Sequence, residues 1–319
     1  MFENLSERLD RSFKLLKGEG KITEINVAET LKDVRKALLD ADVNYKVAKS
    51  FTDTVKEKAL EYDIPVYQPV KVGEEEFIET LRGLDPEVIV VAAFGQILPE
   101  SILNMPKYGC INVHASLLPK YRGAAPIQWS IIDGEKETGV TIMYMEKGLD
   151  TGDMIDKVVV PIDAKETGES LHDKLAAAGG PLLLEVLEKL EAGTAVRTRQ
   201  NDEESCYAKM LTKDLGKIDW NKDAASIERL IRGLNSWPSA YTALHDKTLK
   251  IWDADVEKEN GSAQPGAVAK VTSDAIYVQT GEGLLKINEV QIQGKKRMPV
   301  KAFLLGHKVE EGTLLGENA

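Results

Sequence analysis

Apolar residues recur at helical spacing through the first sixty positions. Leu5, Leu9, Phe13 and Leu16, then Val27, Leu31, Val34 and Leu38, then Val47, Phe51, Val55 and Ala59 fall three or four residues apart on one face. Gly18-Glu19-Gly20 separates the first two runs, and Asn26 with Glu29 supplies a capping-box-like start for the second. The pattern predicts a small helical bundle. From residue 61 it changes. Ile64-Pro65-Val66-Tyr67-Gln68-Pro69 is an edge strand at most, because its prolines lack a ladder donor. A helix over 74–83 with Phe77, Ile78 and Leu81 inward is followed by a strand over 88–93, apolar on both faces, and a second buried strand over 110–114. A helical pattern over 127–132, strands over 140–145 and 154–162, and a helix over 170–190 broken at Gly179-Gly180-Pro181 complete an α/β region. Residues 192–205 are polar and aperiodic and predict a linker. Beyond it come a helix over 224–234 and short strands over 241–244, 249–256, 267–271, 276–280 and 284–292, whose near-regular spacing predicts a small barrel.

Length and charge refine this picture. A chain of 319 residues can hold two separate cores, and 43% apolar with 29% charged residues is an ordinary globular balance with no membrane-length apolar run. The opening MFENLSERLDRS carries acids and no apolar stretch, so a secretion signal is not expected and a cytoplasmic location is. Cys110 and Cys206 show no metal spacing and read as buried thiols in a reducing compartment. The 41 basic and 52 acidic residues give a net charge of −11, which argues against non-specific coating of nucleic acid. A nucleic-acid partner would need a local basic surface, and Lys295, Lys296, Arg297 and Lys301 are the candidates.

The chemistry concentrates between residues 110 and 150. The strand over 110–114 should be apolar throughout, yet Asn112 and His114 share one face at its carboxyl end, where ligand crevices of open α/β sheets form. The loop after it is rich in glycine, proline and small residues. Asp150 follows the strand over 140–145, and if the two strands are parallel their carboxyl-end loops face one cleft.

The motifs NVHASLLPKYRGAAPIQW and GVTIMYMEKGLDTGDMI, with FGQILP, NSWPSAYT and QIQGKKRMP, resemble the folate-dependent formyltransferases, within them the methionyl-tRNA formyltransferase family, from about residue 61 to the C-terminus. The resemblance implies a doubly wound, mainly parallel, Rossmann-like sheet lacking its first βαβ unit, over residues 61–193, then a linker over 194–211. An oligonucleotide-binding-type β-barrel that contacts tRNA would occupy 212–319. It implies formyl transfer from 10-formyltetrahydrofolate to the amino group of methionyl initiator tRNA, with neither metal nor membrane. Asn112, His114 and Asp150 would be catalytic. Phe94, Gly95, Gln96, Ile97 and Leu98, together with Ser116, Leu117, Leu118 and Pro119, would line the folate site. Arg122 would reach the acceptor end of the tRNA, and Lys295, Lys296, Arg297 and Lys301 its phosphates.

Residues 1–60, with LSERLDRSFKLLKGEGKITEINVAETLKDVRKALLDADV, are similar instead to the N domain of the signal recognition particle GTPase, so the chain reads as a chimera. No phosphate-binding glycine loop accompanies them, and GTP is not expected as a ligand. Without its first strand the sheet would leave one backbone edge of residues 88–93 unpaired. Two other readings compete with the enzyme: a non-catalytic chimera serving as an interaction module, and a formyltransferase acting on a small amine.

Overall fold

The computed structural model describes residues 69–259 and 261–316, with 62, 64, 65 and 67. The helices expected over residues 1–60, and the likeness to the signal recognition particle GTPase, lie outside the described residues. The chain divides into one unit of residues 1–86 and 96–105 and another of residues 87–95 and 106–319. The described part of the first holds α1 (Glu75–Gly83), which buries Ile78, and α2 (Glu100–Leu103), which buries Ile102. Gln96 belongs to it, its side-chain oxygen accepting from the Val72 N–H at 3.1 Å.

The second unit is built on β1 (Ile89–Val91), β2 (Cys110–His114), β4 (Glu137–Tyr144) and β5 (Met154–Pro161), in the spatial order β1-β2-β4-β5. β3 (Arg122–Gly123) and α3 (Pro126–Ile132) lie between β2 and β4 in the chain. β1 and β2 are parallel, as expected, and Val90 on β1 is exposed. No strand pairs the outer edge of β1 among the described residues. β4 corrects the expectation of a parallel neighbour: it runs antiparallel to β2, pairing Asn112 with Met143 and His114 with Thr141. An apolar run looks the same in either direction, and only the path through α3 decides it.

The long helix α4 (Gly168–Glu191) packs on β4 and β5 without the break expected at Gly179-Gly180-Pro181. A proline inside a helix costs about 3 kcal/mol and each glycine about 1. Burial of Leu171, Leu175, Leu182, Val186 and Leu190 along one face returns ~1.5–3 kcal/mol per side chain, which outweighs that cost.

The C-terminal region follows the sequence pattern closely. α5 (Ala224–Gly233), capped by the Asp223 carboxylate accepting from the Ser226 N–H, buries Ile227 and Ile231 against an antiparallel sheet. Its strands β7 (Ala240–Leu244), β8 (Lys247–Glu257), β11 (Leu284–Ile292), β10 (Ile276–Gln279) and β9 (Val268–Val271) lie in that order. β12 (Met298–Pro299) pairs with β11 and leads into α6 (Val300–Leu304). Among the described residues no ladder joins β7 to β9 to close a barrel. The tail bonds to both edges instead: Leu315 N–H donates to Gly266 O at 2.8 Å and Gly316 N–H to Ala243 O at 2.9 Å.

Candidate active site

β2 brings Asn112 and His114 to one face, two residues apart. His114 is buried, and its Nε2 donates to the Tyr121 carbonyl at 2.9 Å, because a carbonyl oxygen can only accept. That leaves Nδ1 for chemistry, and it faces Asp150 Oδ2 at 3.7 Å, beyond hydrogen-bond reach but close enough for a charge pair. Asn112 is half-buried, and its side-chain amide makes no hydrogen bond among the described residues.

Asp150 reaches His114 by a route the sequence did not suggest. Because β4 is antiparallel, its carboxyl end lies beside the start of β2, where Met145 N–H donates to Cys110 O at 2.8 Å. The loop between β4 and β5 then carries Asp150 back to the far end of β2, so the cleft is not formed by two neighbouring carboxyl-end loops. There the Gly123 N–H of β3 donates to Asp150 Oδ2 at 2.8 Å. Asp150 adopts a left-handed conformation, φ +52°, which is uncommon outside glycine and among other residues is taken most readily by asparagine, aspartate and histidine. Gly123 has φ +109°, and a Cβ there would meet the Tyr207 ring at 2.4 Å, so glycine is required where backbone approaches both ring and carboxylate.

The Ser116–Pro119 segment supports this arrangement from within. Ser116 and Leu118 are buried; the Leu118 N–H donates to Thr141 Oγ1 at 3.1 Å, and the Thr141 hydroxyl donates to Ser116 O at 2.7 Å. The Ser116 hydroxyl donates to Lys120 O at 2.6 Å, and Leu117 and Pro119 are half-buried. Of the other expected folate residues, Phe94 is 43% exposed, Gly95 takes φ +71°, and in the other unit Ile97 is 89% exposed and Leu98 buried. The Arg122 guanidinium, expected at the acceptor end, turns inward: its side chain is 11% exposed, with Nε and Nη2 donating to Gln200 Oε1 at 3.0 and 2.9 Å and Nη2 to Asp202 Oδ1 at 2.8 Å.

The segment read as a linker is part of the site. Thr198 bridges Met154, and β6 (Tyr207–Ala208) pairs in parallel with β3. Gln200 is buried and donates from Nε2 to Asp150 O and Gly152 O, both at 2.8 Å. Cys206, expected to be buried, is exposed, and its sulfur accepts from the Tyr121 N–H at 3.1 Å. Burial first, then Asp133 and Glu135, pushes the Tyr121 hydroxyl far above the ordinary tyrosine range, so it stays a donor, to Glu135 Oε1 at 3.1 Å.

A family model described as formyl transferase matches residues 20–187, and one described as formyl transferase, C-terminal domain, matches residues 210–308. This chain belongs to the formyl transferase family. The first match opens at residue 20, inside the stretch whose pattern suggested a separate helical segment. Methionyl-tRNA formyltransferase of Lachnospira eligens is 54% identical over 268 residues, 82% of this chain and 85% of that protein. The enzyme of the same name from Agathobacter rectalis is 56% identical over 259 residues, covering 81% and 84%. Among solved structures, a variant of HypX from Aquifex aeolicus superposes with a TM-score of 0.58 at 22% identity over 78% of this chain and 45% of that one. WlaRD, a sugar 3N-formyl transferase, gives 0.57 at 21% over 75% and 81%. At these identities the two structures show the shared fold. No described helix is long and apolar enough to cross a membrane.

Proposed function

We propose that this chain transfers the formyl group of 10-formyltetrahydrofolate to the amino group of methionyl initiator tRNA, in the cytoplasm and without a metal. The observation that carries the reading is the 54% identity to a methionyl-tRNA formyltransferase over 85% of that protein. The pairing of His114 with Asp150 beside an unengaged Asn112 supports it. In the reaction the amine attacks the formyl carbon, negative charge collects on the carbonyl oxygen, and the bond from that carbon to the folate nitrogen breaks as the nitrogen regains a proton. Asn112 donates to the oxygen as its charge grows, a contact worth about 3 kcal/mol in comparable acyl transfers. His114 can add a second donor only through Nδ1, since Nε2 is engaged by Tyr121. The Asp150 carboxylate stabilises the proton on that nitrogen and relays the one the amine loses.

Phe94 to Leu98 and Ser116 to Pro119 are the proposed folate contacts, and Lys295, Lys296, Arg297 and Lys301 the proposed tRNA phosphate contacts. The boundaries at residues 61, 194 and 212, and a foreign origin for residues 1–60, are likewise proposals resting on the sequence motifs. The full chain, incubated with 10-formyltetrahydrofolate and initiator tRNA charged with methionine, is expected to yield formylmethionyl-tRNA resolved on an acid gel. Absence of product from folded chain overturns the assignment.

A further inference from the structure

We propose that Gln200 is a positioning residue for formyl transfer, holding the Asp150 backbone so that its carboxylate stays opposite His114. The inference rests on the catalytic reading of Asp150 given above. The Gln200 amide is saturated: its two N–H groups donate to Asp150 O and Gly152 O at 2.8 Å each, and its oxygen accepts from Arg122 Nε and Nη2 at 3.0 and 2.9 Å. It is buried at 5% exposure, so each of these bonds replaces one that water would otherwise make, and removing a partner leaves a buried group unpaired.

The arrangement is a closed loop of contacts. Gly123 of β3 holds the Asp150 carboxylate, and its neighbour Arg122, through Gln200, holds the Asp150 carbonyl. One bond from Gly123 and one from Gln200, itself held by the adjacent Arg122, thus fix the side chain and the carbonyl of a residue whose φ of +52° is uncommon outside glycine. The strand itself is held by β6, through Arg122 opposite Tyr207 and Gly123 opposite Ala208. Among the described residues Gln200 makes no hydrogen bond to His114 or Asn112, so the route by which its bonds reach the reaction is Asp150.

The test is a set of variants of the full chain assayed for kcat and KM with both substrates, beside thermal melts. Gln200→Glu keeps the shape and the acceptor for Arg122 but replaces the donor with an oxygen facing two carbonyls. Its kcat is expected to fall about ten- to a hundredfold with both KM values within about twofold, because a displacement near 1 Å costs rate rather than uniform binding. Arg122→Lys, which loses the two-pronged hold on Gln200, is expected to lower kcat less and to leave KM for tRNA unchanged. A raised tRNA KM at unchanged kcat would place Arg122 at the acceptor end and overturn the chain of contacts. Added to Asp150→Asn, Gln200→Glu is expected to cost nothing further, whereas a full additional loss would mark it as merely structural. Should Gln200→Glu melt far below the parent, the same cycle run with Arg122→Lys decides. Parental activity in Asp150→Asn defeats the site reading itself. A slow Asp150→Asn beside a fully active Gln200→Glu defeats only the positioning role.

Discussion

Cys110 and Cys206 show how one residue type takes opposite environments in one chain. Cys110 sits in β2 at 1% exposure, and burial pushes its thiol up to about 11, so it carries almost no thiolate near neutrality. Cys206 is exposed and accepts from the N–H of Tyr121, the residue whose carbonyl holds His114. A thiol reagent at pH 8 is therefore expected to modify the native chain at Cys206 first, a reaction that Cys206→Ser abolishes, and a bulky adduct there should slow formyl transfer. Prompt labelling of Cys110 in native protein, located by peptide mapping, would contradict this packing. The proposed catalytic residues Asn112 and His114 stood out in the sequence because they break the apolar rule of a buried strand at its carboxyl end. Gln200 did not, since nothing in a polar, aperiodic stretch marks which amide will meet carbonyls some fifty positions earlier. The same blindness made Cys206 a buried thiol and hid the bonds from Arg122 to Gln200: both depend on the pairing of β3 with β6, two-residue strands too short to leave a period.

At the scale of elements, the helix and strand periods of residues 224–292 carried over almost residue for residue, because each strand has one buried face to declare. Strand direction and the continuity of α4 did not, being settled by chain path and by packing. The start of α4 is fixed by Thr167, which accepts from the Ser170 N–H at 3.1 Å, and by Lys174, which donates to both Asp163 and Glu166. Burial alone would raise the Glu166 carboxyl, but bonds from Lys174, Ser170 and the Asp163 N–H overcome it and hold the group below its usual range. Asp163 is lowered chiefly by its bond from Lys174. Carboxyls depressed in the folded chain add stability above their unfolded values, near pH 4, and lose it as the pH falls through their folded ones. Lys174→Met is accordingly expected to melt a few degrees below the parent at pH 7, and the gap should close on acidification below about pH 4. A gap independent of pH in melts from pH 3 to 7 would show that Lys174 acts through packing alone.

The whole molecule carries a charge of −11, yet its proposed partner is a polyanion, so approach must be governed by where the cations lie. The C-terminal region is bonded to the connection between β5 and α4: Arg232 Nη1 of α5 donates to Glu166 O at 2.8 Å, and Lys165 donates to Ala254 O of β8 at 2.9 Å and pairs with Asp255. The candidate cations cluster at the turn from β11 into β12 and on the helix after it. Lys295 and Lys296 on that turn are exposed, and Lys301 is exposed on α6. Arg297 differs, for its guanidinium pairs with Glu289 and lies 4.9 Å from the centre of the Trp252 ring, over which Lys250 also sits at 6.0 Å. Part of its charge is already answered within the protein. Neutralising Lys295, Lys296 and Arg297 together is expected to flatten the dependence of log Kd for tRNA on log salt by about two phosphate contacts, each contributing about 0.7 to 0.9 to the slope. Measured by filter binding across a salt series, an unchanged slope would move the tRNA surface off this turn. A loss of about three contacts would show instead that Arg297 leaves Glu289 to bind phosphate. In that case Arg297→Ala alone should flatten the slope by about one contact, while Trp252→Ala, which removes the ring but no charge, leaves it unchanged.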